Sequence, residues 1–162
     1  MKNITIVSLN DNYGREVAEK FAKEVSYYYA DANGILSYNF VNDEMASTCG
    51  MDYFLNLKES SLQELGKYEN TVTYMSASMF LSMVDKEQFL DNSVVIYLYL
   101  PMDKFMLSLY NDTKLSQSER EVEILQYDSR DSLLKKYSAH VVPNKTLGVK
   151  TAIKNLNNVL KI

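Results

Sequence analysis

The stretch Asn3-Ile4-Thr5-Ile6-Val7-Ser8-Leu9-Asn10-Asp11-Asn12-Tyr13-Gly14-Arg15 decides how the chain is read. Ile4 to Ser8 is a short β-branched run, and Leu9 to Tyr13 is a polar turn. From Gly14 to Val25 the apolar residues Val17, Ala18, Phe21, Ala22 and Val25 recur at helical spacing, while Arg15, Glu16, Glu19, Lys20 and Lys23 face elsewhere. Strand, tight loop, helix is the unit this spells.

The unit repeats outward. Tyr27 to Asp31 predicts a second strand, closed by a turn at Ala32-Asn33-Gly34. Phe54 to Leu65 is amphipathic, with Gly66 as its stop. Thr71 to Met75 reads as a strand, Met79 to Leu90 as a helix or two short ones, and Val94 to Leu100 as a strand buried on both faces. Pro101 opens a helix through Leu109. Asn111 to Ser118 is a loop, Glu119 to Tyr137 a helix, Ala139 to Val142 a last strand and Leu147 to Leu160 a last helix. Alternating strands and helices predict a single α/β domain over 1–162, three layers with a five-stranded parallel sheet between helices. Ligands in such sheets sit at the carboxyl ends of the strands. The candidate site is therefore Ser8 to Arg15, Asp31 to Gly34, Ser76 to Met79, the 111–118 loop and the surroundings of Arg130.

Composition narrows the chemistry. The 162 residues include 5 Gly and 2 Pro, where average usage gives about 11 glycines; little remains for a glycine loop that lets backbone approach a phosphate. Seventeen Lys plus Arg against 21 Asp plus Glu leave a net charge of -4, with arginine only at Arg15, Arg120 and Arg130. No general pull on nucleic acid or anionic membrane follows. No apolar stretch approaches the roughly 20 residues of a membrane helix, and the first strand begins too early for a signal peptide, so a cytoplasmic location is expected. One Cys (Cys49) and one His (His140) exclude an intramolecular disulfide and multi-ligand Cys/His zinc patterns. Nothing around His140 suggests a catalytic triad.

The order of elements and several spacings resemble the shikimate kinase family of P-loop kinases across essentially the whole chain. Asn3 to Val7 is similar to the family's first strand, Val17 to Ala22 to the helix after the phosphate loop, and Val94 to Leu98 to the fourth strand. Arg130 to Leu134, with Tyr137 to Val141, resembles the Arg-x-Pro-Leu-Tyr segment and the strand that follows. The resemblance implies a shikimate kinase-like fold and places the family's chemical motifs on positions that do not carry them. G-x-x-x-x-G-K-[ST] falls on Ser8, Leu9, Asn10, Asp11, Asn12, Tyr13, Gly14 and Arg15, so Ser8 and Tyr13 replace glycines, Gly14 stands at the lysine and Arg15 at the magnesium-binding hydroxyl. Charge-assisted hydrogen bonds are worth about 1.5–3 kcal/mol each, and losing both groups removes several orders of magnitude in rate.

The substrate side is altered in the same way. Asp-x-Asp becomes Asp31-Ala32-Asn33, keeping the carboxylate at Asp31 and an amide at Asn33. The substrate arginine and the glutamate after it fall on Leu55 and Lys58. The triple glycine falls on Ala77, Ser78 and Met79, Arg130 stands at a carboxylate-binding arginine, and Lys114 is the nearest cation to the shortened lid. The resemblance therefore implies a catalytically impaired, pseudokinase-like domain that keeps the fold for binding, regulation or scaffolding. No cofactor and no metal is expected, and the partner is an unidentified small anion or a protein.

Two alternatives stay open. One is a divergent small-molecule kinase using ATP and magnesium, with Arg15 or Lys114 in place of the loop lysine and Asp31 as its catalytic carboxylate. The other is a flavodoxin-like binding protein whose 8–14 loop holds a flavin phosphate.

Plainer readings stand beside the site residues. Asp31 reads as a cap on the Ala32–Gly34 backbone, and Arg15 as a solvated helix residue. The turn at 10–12 forms without glycine, because Asn and Asp enter the left-handed region readily, and the helix start at Gly14 offers free amides to an anion. Arg130 is either an anion contact or a surface ion pair with Asp128 or Asp131. Met75, Met79 and Met83 read as core filling, His140 as structural, and Tyr27 to Tyr29 as ordinary sheet packing.

Overall fold

The computed structural model describes residues 2–39 and 43–162. Five parallel strands form one sheet: β1 (Asn3–Ser8), β2 (Tyr28–Asp31), β3 (Thr71–Ser76), β4 (Ser93–Tyr99) and β5 (His140–Pro143), in the order β2-β3-β1-β4-β5. The three-layer α/β architecture is as expected. β1 lies between β3 and β4, which is the order of neither a flavodoxin nor a nicotinamide-binding sheet, and the flavodoxin-like alternative falls.

Strand alternation divides the core between the two faces. Ile4, Ile6, Val72, Tyr74, Ile96 and Leu98 meet α1 (Asp11–Glu24), α7 (Met102–Asn111) and α9 (Val149–Leu160) on one side. Val7, Met75, Val95 and Tyr97 meet the other helices: α2 (Ala32–Tyr38), α4 (Met51–Gly66), α5 (Ala77–Ser82), α6 (Lys86–Asn92) and the carboxyl half of α8 (Gln117–Tyr137). Helix α3 (Asp43–Cys49) packs on α4.

At the amino ends of the central strands a buried, uncharged network ties the sheet together. Asn3 Nδ2 donates to Thr73 Oγ1 (2.9 Å) and to the Leu65 carbonyl (3.1 Å). Thr5 Oγ1 and Ser93 Oγ both donate to Asn3 Oδ1, each at 2.9 Å.

Several expected boundaries move, each for a local reason. Asn10 caps α1, its side chain accepting from the Tyr13 amide at 2.8 Å, so the helix begins at Asp11 and the turn shrinks to Leu9 and Asn10. Ala32-Asn33-Gly34 is the first turn of α2 rather than a free turn, because Asp31 caps it through the amides of Asn33 and Gly34. The 79–90 region resolves into the two short helices α5 and α6. Gly66 is the last residue of α4 and is not a left-handed stop; a Cβ there would stand 2.8 Å from the Phe89 ring, so close packing is what it serves.

Candidate functional site

The carboxyl ends of β1, β2 and β3 converge on the first two turns of α1. Because α1 starts three residues earlier than expected, the 11–13 segment is helical and does not loop around a ligand. The Gly14 amide donates to the Asn10 carbonyl at 2.9 Å and the Tyr13 amide to Asn10 Oδ1. Gly14 is therefore not the helix start, and its amide is not free. A Cβ on Gly14 would lie 2.4 Å from the Tyr74 ring and 2.8 Å from Ser8 Cβ. Glycine at this position makes room for Tyr74, which β3 presents from beneath.

Four side chains close on one another around that ring. Arg15 Nε donates to Asp31 Oδ2 at 2.7 Å, and the guanidinium carbon lies 5.4 Å from the centre of the Tyr74 ring. Tyr74 Oη donates to Asp11 Oδ1 at 2.5 Å. Burial opposes the charge on Arg15, but the hydrogen bond and charge of Asp31, with Asp11 behind them, outweigh it and raise its pKa. Tyr74 is pushed upward by burial first and then by Asp11, so its proton stays on. Tyr29 is pushed up to about 12 by burial, with the Asp31 charge adding to it. Arg15 is thus a partnered, half-buried residue and not the solvated one expected, while Asp31 performs the capping expected of it and holds Arg15 as well.

Tyr13 is buried and accepts a hydrogen bond from Asn144 Nδ2 in the segment after β5, which fastens the start of α1 to that segment. On the outer side, a cavity of about 300 Å3 opens between this turn and the 112–116 loop. Asn10, Asp11, Asn12 and Arg15 line it from below, and Asp112, Lys114 and Glu123 from above. An anion entering it meets three carboxylates against two cations, one of which is already bound to Asp31.

Other predicted residues do not join this cluster. Leu55 and Lys58 lie on α4, Leu55 exposed, and Lys58 has no ion-pair partner among the described residues. Ala77, Ser78 and Met79 form the first turn of α5, capped by Ser76 Oγ accepting from the Met79 amide; Ala77 is buried and Ser78 is exposed. Met75 and Met83 fill the core, as expected, with Met79 packed against it. Arg130 is in an ion pair, but with Glu123 at 2.8 Å, two turns up the same helix, and not with Asp128 or Asp131. Asp131 instead accepts from Tyr97 Oη (2.9 Å) and Lys135 (2.7 Å). Tyr74 and Asn144 were not singled out by sequence reading, and Glu123, read with Glu119 as a solvated helix face, pairs instead with Arg130. The available signal was Gly14, a glycine beside a helical pattern in a glycine-poor chain, which is consistent with a bulky neighbour.

The sequence matches the family model of shikimate kinase over residues 15–161. The chain belongs to the shikimate kinase family. Among solved structures, the shikimate kinase of Bacteroides thetaiotaomicron is similar with a TM-score of 0.81 and 14% identity, covering 99% of each chain. The Acinetobacter baumannii shikimate kinase, solved in complex with shikimate, gives 0.78 and 17% identity, covering 99% of this chain and 94% of that one. The Aquifex aeolicus enzyme gives 0.71 and 14%, with 98% and 96% covered. At these identities the likeness is one of fold. No curated protein matches the sequence. The family match begins at Arg15, so the turn from Ser8 to Gly14 lies outside it. Shikimate kinases normally use ATP and magnesium. The residues at the α1 turn do not fit that pair: the Tyr13 and Gly14 amides are taken, the lysine position is Gly14, and the guanidinium on the turn, that of Arg15, is held by Asp31.

Proposed function

We propose that this shikimate kinase-family domain has lost phosphoryl transfer and acts through binding, as a regulatory or scaffolding protein. The observation that carries the reading is Arg15: it stands where the family has the hydroxyl that binds magnesium, it carries a positive charge, and its guanidinium is turned onto Asp31 over the Tyr74 ring. Gly14, at the lysine position, has no room for a side chain against that ring, where a Cβ would lie 2.4 Å from it. Phosphoryl transfer depends on positioning and charge neutralisation of the phosphates, so these replacements remove its main contributors. A coupled assay with shikimate and magnesium ATP is expected to show no turnover above background; rates of about 1–100 per second, ordinary for kinases, overturn the proposal.

A divergent active kinase is the second reading, and one observation favours it: Arg15 and Lys114 line the same cavity, at the start of α1. It predicts magnesium-dependent nucleotide binding by calorimetry that Arg15→Ala abolishes. Undetectable binding in the unaltered protein, or equal affinity in the variant, removes it.

A further inference from the structure

Residues 144–162 contain Lys145, Lys150, Lys154 and Lys161 and no acidic residue, within a chain of net charge -4. Elsewhere Lys20, Lys23, Lys67, Lys104 and Lys135 pair with Glu16, Glu19, Glu64, Asp103 and Asp131, and lysines without an ion pair among the described residues, such as Lys58 and Lys114, are scattered among acidic residues. The four lysines near the carboxyl end have no ion-pair partner among the described residues. Lys150 and Lys154 stand one turn apart on the exposed side of α9, whose other side is fixed in the core by Ala152, Ile153 and Leu156. Between α9 and the carboxyl end of α1 runs a groove of about 450 Å3, lined by both lysines, Ile153, Asn157, Asn158 and Glu24. Its one carboxylate, on Glu24, is taken by Asn157 Nδ2 at 2.5 Å.

We propose that this groove docks an acidic segment of a partner protein, its carboxylates over Lys150 and Lys154 and one apolar side chain on Ile153. Charge complementarity selects the class: unpaired cations beside a small apolar floor, with the Asn158 amide able to meet a peptide backbone. A membrane does not fit, because the apolar face of α9 is already buried and nothing is left to insert. Nucleic acid fits poorly, because residues 144–162 have no arginine and no aromatic side chain on which a base can stack. The groove lies at the far end of α1 from Arg15, about 14 Å along the helix at 1.5 Å per residue, so the inference goes beyond the reading above and holds whether or not phosphoryl transfer persists.

The test is fluorescence anisotropy of the full chain with a short labelled peptide of glutamates flanking a central leucine. Binding is expected to weaken about tenfold in Lys150→Glu/Lys154→Glu, to weaken with added salt, and to fall when the leucine is replaced by serine. It is expected to stay within about twofold in Lys67→Glu/Lys104→Glu, which changes net charge equally outside the groove. Four results overturn the proposal: no binding to the unaltered protein, an equal loss in the control variant, tighter binding of a single-stranded oligonucleotide or anionic vesicles than of the peptide, or salt-sensitive self-association that places a second copy in the groove. Thermal melts of both variants confirm that the exposed charge changes leave the fold intact, and kinase and nucleotide assays report separately on Arg15.

Discussion

The two ends of the central strands hold polar networks of different kinds. At the amino ends, Asn3, Thr5, Thr73 and Ser93 are almost completely buried, neutral, and bonded to one another across β1, β3 and β4. At the carboxyl ends, Asp11, Arg15, Asp31 and Tyr74 form a charged network at the edge of solvent. A buried neutral network is costly to break, since each orphaned group forfeits its hydrogen bond inside the core, whereas a half-exposed ion pair is screened by water. The first network fixes the sheet; the second occupies the place where this fold meets ligands, and contributes less to holding it.

That contrast can be broken by measurement. Asn3→Leu takes from Thr73 its side-chain partner and from Thr5, Ser93 and the Leu65 carbonyl one partner each, leaving Thr5 and Ser93 bonded to each other, and is expected to cost about 3 kcal/mol in denaturant unfolding, the largest effect. Gly14→Ala pushes a methyl group against Tyr74 and Ser8 and should cost about 2 kcal/mol by overpacking, with recovery in Gly14→Ala/Tyr74→Leu. Arg15→Ala should cost only about 1 kcal/mol, its side chain being 36% exposed; a loss equal to that of Asn3→Leu would erase the distinction between the two ends.

The smallest effect is one of pH. Burial opposes the charge of Glu59, but bonds from Gln63 and from the Val84 and Asp85 amides outweigh it and lower its pKa. Its stabilisation is therefore complete above the ordinary glutamate range near pH 4.3 and is lost as pH falls through the lower, folded value. Chemical denaturation from pH 6 downward should show that loss reduced in Glu59→Gln.

Much of the sheet was legible because a strand's alternation, or a continuous apolar run such as 94–100, leaves little choice of structure; β4 is displaced by a single residue from its expected bounds. The start of α1 was not legible, because Asn10, Asp11 and Asn12 suit a turn and a helix cap equally, and only the bond from the Tyr13 amide decides between them. Helices α2 and α3 were missed: each has seven residues, too few to show a helical period. In the candidate site, Asn10, Asp11, Asn12, Arg15 and Lys114 line one cavity, while Tyr13 and Gly14 are buried away from it. The partners of Asp11 and Tyr13 were hidden, because Tyr74 and Asn144 come from distant positions and local spacing encodes no contact across the fold.

The contact between Gly14 and Tyr74 also constrains which substitutions the start of α1 can accept. Gly14→Lys by itself places a Cβ 2.4 Å from a buried aromatic ring. Trimming Tyr74 first empties space in the core and deprives Asp11 of the hydroxyl that bonds it. Either order passes through a destabilised intermediate, so a lysine at this position needs two coordinated substitutions, and the interlocked pair holds each member in place.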